Sequence, residues 1–112
     1  MFLYINNIKT GFEVLKANNF IERASGLLFI KKLSPHEVFY IQPCNSVHSF
    51  GMKYMIDIVY LDRVGMVLKI IKNMKARRIN WCLKANSVLE FESGATVINA
   101  LNRGDFVAFK NY

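Results

Sequence analysis

The sequence predicts a mainly β (α+β) fold: a small antiparallel β-sandwich or partly closed barrel with one short helix near residues 19–28. Three observations predict it. Short apolar runs, bounded by turn residues, recur along nearly the whole chain. Only one stretch, from Phe20 to Leu28, carries a clear helical stripe. At 112 residues, 53% of them hydrophobic, the chain has enough apolar surface for one core and is read as a single domain over residues 1–112.

Taken in order, Phe2 to Ile5 reads as a first strand and Phe12 to Val14 as a second, after a turn from Asn6-Asn7 to Gly11. Asn18-Asn19 can cap the helix, in which Phe20, Ile21, Ala24, Leu27 and Leu28 share one face. Arg23 sits at the margin of that face, where its guanidinium can reach a buried acceptor. Val38 to Ile41 is the next strand, ended by Pro43. Gly51 predicts a bend or bulge, and Met55 to Asp62 the central strand. Asp62-Arg63-Val64-Gly65 predicts a hairpin turn, with Met66 to Ile71 returning. The stretch 73–85 has no clear period and is expected to be an irregular excursion. Asn86 to Glu92 is a strand with Leu89 and Phe91 on one side, Val88 and Glu90 on the other. Ala95 to Leu101 fits a short helix or an irregular turn, and Phe106 to Phe109 ends the fold as a strand.

The central strand carries the sharpest oddity. Ile56, Ile58 and Tyr60 share one face; Met55, Asp57, Val59 and Leu61 share the other. Both faces are apolar, so the strand is covered on both sides, and Asp57 points where Val59 and Leu61 point. A carboxylate there needs hydrogen-bond donors, a cation, a proton or water. The bland reading is a carboxylate tied to a backbone amide, Arg23 or His48; the functional one is an acid facing a ligand. Glu90 is an oddity of the same kind, with a solvated edge as its bland reading.

Charge is concentrated. Seven basic residues lie from Arg63 to Leu89 with no Asp or Glu among them: Arg63, Lys69, Lys72, Lys75, Arg77, Arg78 and Lys84. The remaining eight basic residues balance all eight acidic ones, so the whole net charge of +7 resides in this segment. It reads either as a solvated basic edge that blocks strand pairing or as a patch for a polyanion. In the second reading Lys72, Lys75, Arg77 and Arg78 meet the anion and Trp81 stacks on a base, although a lone Trp in a small domain is usually core.

Several stretches together resemble the uncharacterised ACR family, a domain of unknown function. Arg23-Ala24-Ser25-Gly26-Leu27-Leu28-Phe29 is similar to its R-x-x-G-L-M/L segment. Residues Cys44 to Met52 and Ile56 to Asp62 resemble its H-T/S-F-x-M and I-D-V-V-F-L-D core. Val88 to Gly94 resembles its V-L-E-L-x-x-G, and Arg103 to Val107 its x-G-D-x-V. The resemblance implies a compact β-rich domain and no particular activity. Many relatives carry an export signal, whereas Met1 to Ile5 has no basic leader and breaks at Asn6-Asn7. With no apolar run near the ~18 residues of a membrane span, and two cysteines read as free thiols, the expected location is cytoplasmic.

Chemistry finds little support. Cys44, His48 and Asp57 would make a hydrolase-like trio, but on an extended strand Cys44 and His48 stand ~13 Å apart. Zinc ligation by His36, Cys44, His48 or Cys82 lacks paired ligand spacing, and no Gly-x-Gly phosphate loop occurs, so neither metal nor cofactor is implied. The resulting expectation is a small binding domain rather than an enzyme, monomer or homodimer. Its candidate site is formed by Arg23, His48, Met52, Asp57 and Glu90, taking a small ligand or a protein segment; the alternative is nucleic-acid or other polyanion binding through residues 63–89.

Overall fold

A computed structural model of the chain describes residues 1–16, 33–49 and 54–112. The expected helix near residues 19–28 and the bend at Gly51 lie outside them. Among the described residues nine strands follow one another: β1 (Phe2–Ile5), β2 (Ile8–Lys16), β3 (Glu37–Ile41), β4 (Ser46–His48), β5 (Ile56–Leu61), β6 (Val67–Met74), β7 (Ile79–Trp81), β8 (Ser87–Glu92) and β9 (Val107–Lys110). One short helix, α1 (Thr96–Ala100), lies between β8 and β9. The fold is mainly β, as the period of two predicts.

Seven strands form one sheet in the order β6-β5-β8-β3-β2-β1-β9, and β4 pairs with β7 in a separate two-stranded ribbon. All pairs are antiparallel except β2 with β3, which run parallel. The two edges of the large sheet approach one another at one end. Met66 bridges Phe106, Val67 N–H donates to Asp105 O at 2.8 Å, and Val107 N–H donates to Gly65 O at 2.8 Å. Past that meeting point no ladder joins β6 to β9 among the described residues, so the sheet curls without closing into a barrel.

Each face of the curled sheet has its own core. Leu3, Phe12, Val38, Val59, Leu89 and Phe91 gather on the inner side, joined by Ala95, Ile98 and Leu101 around α1. Phe39, Ile41, Ile56, Ile58, Tyr60 and Val88 gather on the other side, with Val47 of the ribbon and Leu33 against them. β5 has every residue buried. A run rich in Ile, Val and Tyr suits such a pleated surface covered on both faces.

Two local departures from the sequence reading have clear causes, and one open alternative is decided. The first turn is only Asn6-Asn7, both at positive φ, so β2 starts at Ile8 and Gly11 falls within the strand, at the register shift opposite Phe2 to Tyr4. Residues 73–85 are not wholly irregular: β7 forms there because β4 supplies a partner far away in sequence, with Ser46 opposite Trp81 and His48 opposite Ile79. Ala95 to Leu101 resolves as helix in its centre, α1. No helix among the described residues is long and apolar enough to cross a membrane.

The hairpin turn expected at Asp62 to Gly65 is present. Asp62 Oδ1 accepts the N–H groups of Val64 and Met66, each at 2.9 Å. Gly65 has φ +90°, and a Cβ there would stand 2.3 Å from Val107 O, across the point where the sheet edges meet. Gly104 has a similar φ of +91° but open space around it. Gly65→Ala is therefore expected to lower stability by about 3 kcal/mol or more, and Gly104→Ala by only about 1 kcal/mol, in urea unfolding. Equal losses would show that the edge contact adds nothing beyond backbone strain.

Candidate functional site

Asp57 is buried on the inner face of β5, 1% exposed. Its Oδ1 accepts the N–H of Asn73 at 2.8 Å and its Oδ2 accepts the N–H of Gly94 at 3.0 Å. Asn73 sits near the end of β6 with φ +55°, where the β5–β6 register shifts between Ile56 and Ile58. Gly94 follows β8, in the turn before α1. One carboxylate thus holds two irregular backbone segments that flank the same strand. Ser93 Oγ adds a hydrogen bond to Asn73 Oδ1 between those segments.

Glu90 does not join Asp57. Asp57 lies opposite Phe91 and Ile58 opposite Glu90, so the two acids project from opposite faces of the sheet. His48 is exposed on β4, on the ribbon face away from buried Val47. Arg23 and Met52 lie outside the described residues. The described members of the expected polar cluster are thus distributed over three surfaces.

Glu90 is only 2% exposed, which replaces the solvated-edge reading. It sits among Phe39, Ile58 and Val88 on the outer core, and its Oε2 has no hydrogen-bond partner among the described residues. Burial pushes its carboxyl from 4.5 up to about 8. Burial also raises the Tyr60 hydroxyl, with Cys44, Cys82 and Glu90 adding to the rise. The Cys44 thiol is raised by burial, lowered in part by a backbone hydrogen bond with Ser46, and raised again by Glu90. A thiol held protonated is the reverse of what a nucleophile needs. Cys44 packs on the outer core while Asp57 faces the inner one, so the trio of Cys44, His48 and Asp57 is not assembled. His36 lies edge-on to Phe12, with ring centroids 6.5 Å apart.

The basic segment is held more tightly than its sequence suggests. Ser49, completely buried, is hydrogen-bonded through its backbone and side chain to the turn between β6 and β7. Its N–H donates to Arg78 O at 2.9 Å and its carbonyl accepts the N–H of Arg77 at 3.3 Å. Its Oγ accepts the N–H of Arg78 at 2.9 Å and donates to Lys75 O. Arg77 takes a positive φ of +60° within this turn. Ser49 was not singled out in the sequence; its place directly after His48, at the end of a short strand, was the available signal. Asp57 anchors the start of the excursion at Asn73 and Ser49 anchors its middle.

An open groove of about 400 Å³ runs beside this turn, lined by Lys72, Asn73, Lys75, Arg78, Ile79 and Asn80 among others. Asn80 Oδ1 is buried with no hydrogen-bond partner among the described residues. On the ribbon's outer face stand Ile79, 60% exposed, and Trp81, 57% exposed, beside Ser46 and His48. Trp81 is therefore not a core residue. Lys69 reaches the same strand, donating from Nζ to Trp81 O at 2.9 Å.

The class defined by these features is a mainly β chain with a curled mixed sheet, a β-ribbon laid over one face, and a basic surface at the ribbon. The chain belongs to the uncharacterized ACR family, domain of unknown function 192, whose model matches residues 3–109. Two solved structures share the fold. A protein of unknown function from Novosphingobium aromaticivorans DSM 12444 has a TM-score of 0.76 at 21% identity, over 88% of this chain and 75% of that one. A protein from Sinorhizobium meliloti 1021, described as a "putative transcription regulator", has a TM-score of 0.77 at 16% identity, over 89% of this chain and 83% of that one. No curated protein matches the chain.

Two outcomes test the buried acids. Asp57→Ala strands two backbone N–H groups and should cost about 2–4 kcal/mol, read as a lowered urea midpoint. For Glu90, the folded chain holds one proton more than the unfolded chain between pH 4.5 and about 8. Its contribution is therefore fully present below pH 4.5 and declines by about 1.4 kcal/mol per pH unit until pH 8. Glu90→Gln should flatten that slope and raise stability at pH 8; an unchanged slope would assign the decline to another group.

Proposed function

We propose that the chain is a small binding domain whose partner is a polyanion, held by the basic turn, its groove and the outer face of the β4–β7 ribbon. The observation that carries this reading is the bracing of the charge. Gathering like charges in one segment is unfavourable by self-repulsion. Yet Lys75, Arg77 and Arg78 are fastened through their backbones to a buried serine, while Lys72 lies one residue from the segment anchored by Asp57. A basic edge that served only to stay solvated would need no such fixed geometry. Fixed cations lose less entropy on meeting an anion than cations on a loose loop. Exposed Ile79 and Trp81 beside them add apolar contact area that charge alone does not require.

Binding to oligothymidylate and to inorganic polyphosphate at increasing salt tests the reading. With Lys72, Lys75, Arg77 and Arg78 each neutralising one anionic group of a single strand, a fourfold rise in salt should weaken binding about fiftyfold. Replacing Arg77 and Arg78 together by Ala should lower that factor to about sevenfold and weaken binding at low salt. Ser49→Ala should weaken binding in the same direction without removing any charge. If neither polymer binds at low salt, or binding is indifferent to salt, the proposal fails.

A further inference from the structure

We infer that the polyanion is single-stranded nucleic acid, with phosphates along the Lys72, Lys75 and Arg78 side of the groove and an unpaired base stacked on Trp81. The inference rests on the polyanion reading and names its ligand. Two features of the surface select this ligand over other anionic chains.

The first is Trp81 itself. It is the chain's single tryptophan, and it stands 57% exposed on a strand, beside cations rather than under a lid. A flat indole on an open β-ribbon suits a flat partner, because every base has a π-face to lay against it. Anchoring side chains of a peptide instead fill pockets. Trp81 is not among the residues lining the groove. The second feature is the arrangement along β7. Ile79 and Trp81 lie on one face of the strand and Asn80 on the other, and Ile79 and Asn80 both line the groove. The cation-lined groove therefore adjoins the stacking surface along one short strand, as a backbone of phosphates bearing outward-turned bases requires.

Stacking also selects single strands. In a duplex the bases are already stacked and paired, and reaching them requires a helix or ribbon to enter a groove. The described helix, α1, has five residues and packs in the inner core, and the β4–β7 ribbon has only three residues in each strand and is held against the outer core through Val47, so neither projects as such a reader.

Trp81 supplies its own signal. Titrating the full chain with oligothymidylate should quench its fluorescence, and oligothymidylate should bind at least tenfold tighter than polyphosphate of equal charge. Trp81→Ala should lose roughly ten- to hundredfold in affinity for the oligonucleotide, with no change for polyphosphate and with far-ultraviolet circular dichroism reporting an intact fold. Trp81→Phe should recover most of the loss. Equal binding of both polymers with no quenching would overturn the single-strand assignment and leave the polyanion reading standing. A duplex bound as tightly as its single strand would overturn it also, as would polyglutamate bound more tightly than the oligonucleotide, which would identify an acidic protein as the partner. Absence of binding to every polymer at low salt would overturn both readings.

Discussion

The geometry of this chain depends on one carboxylate with two backbone partners. Asp57 accepts hydrogen bonds from Asn73 and Gly94, and those residues lie on the two sides of β5, at the end of β6 and just past β8. Neither segment is regular strand, so neither finds all of its partners in a ladder. A carboxylate side chain between them satisfies both donors. The direction in which the chain leaves β6 is fixed by this contact. From there it passes through Lys75 to Arg78, meets Ser49, and enters β7. The acid that sequence reading marks as a candidate ligand group thus acts one step earlier, by holding the backbone from which the basic surface grows.

The sheet separates two chemical environments. On its inner side the apolar core surrounds Asp57, which has its donors. On its outer side Glu90 lies in a core of similar character without a partner for Oε2 among the described residues, and its carboxyl answers burial by keeping its proton. Equal burial therefore meets two different surroundings: backbone N–H groups converge on Asp57, and none among the described residues reaches Glu90 Oε2. The thiol of Cys44 and the hydroxyl of Tyr60 share Glu90's side and are shifted in the same sense.

Much of the architecture was legible because it is local. The alternation in β5 and β8 assigns each residue to its correct face, including the opposition of Glu90 to Leu89 and Phe91, and the Asp62 to Gly65 turn follows from its glycine and acid. What was not legible depends on partners distant in sequence. β7 is three residues long and has no period of its own; it exists because β4 lies beside it. The grouping of Asp57 with Glu90 failed for a related reason. Each strand's faces could be read, but the register that sets Asp57 opposite Phe91 could not. The exposure of Trp81 was hidden in the same way, since a ribbon outside the main sheet has one face with nothing over it. Uniform positive charge was plain in the sequence, whereas its fastening to Ser49 was not.

The pairing of the first strand with the last has a consequence for how the chain matures. β1 has β2 on one side and β9 on the other, with Phe2 opposite Lys110. β9 also supplies the contacts that draw in the far edge of the sheet at Gly65. During synthesis the β1–β2 hairpin is made well before β9, so one of its flanks lacks this neighbour until β9 has left the ribosome. Pairings this far apart in sequence are slow to form, and an open flank invites adventitious strand addition in the interval. The curl can be drawn shut only once β9 has been made and has docked.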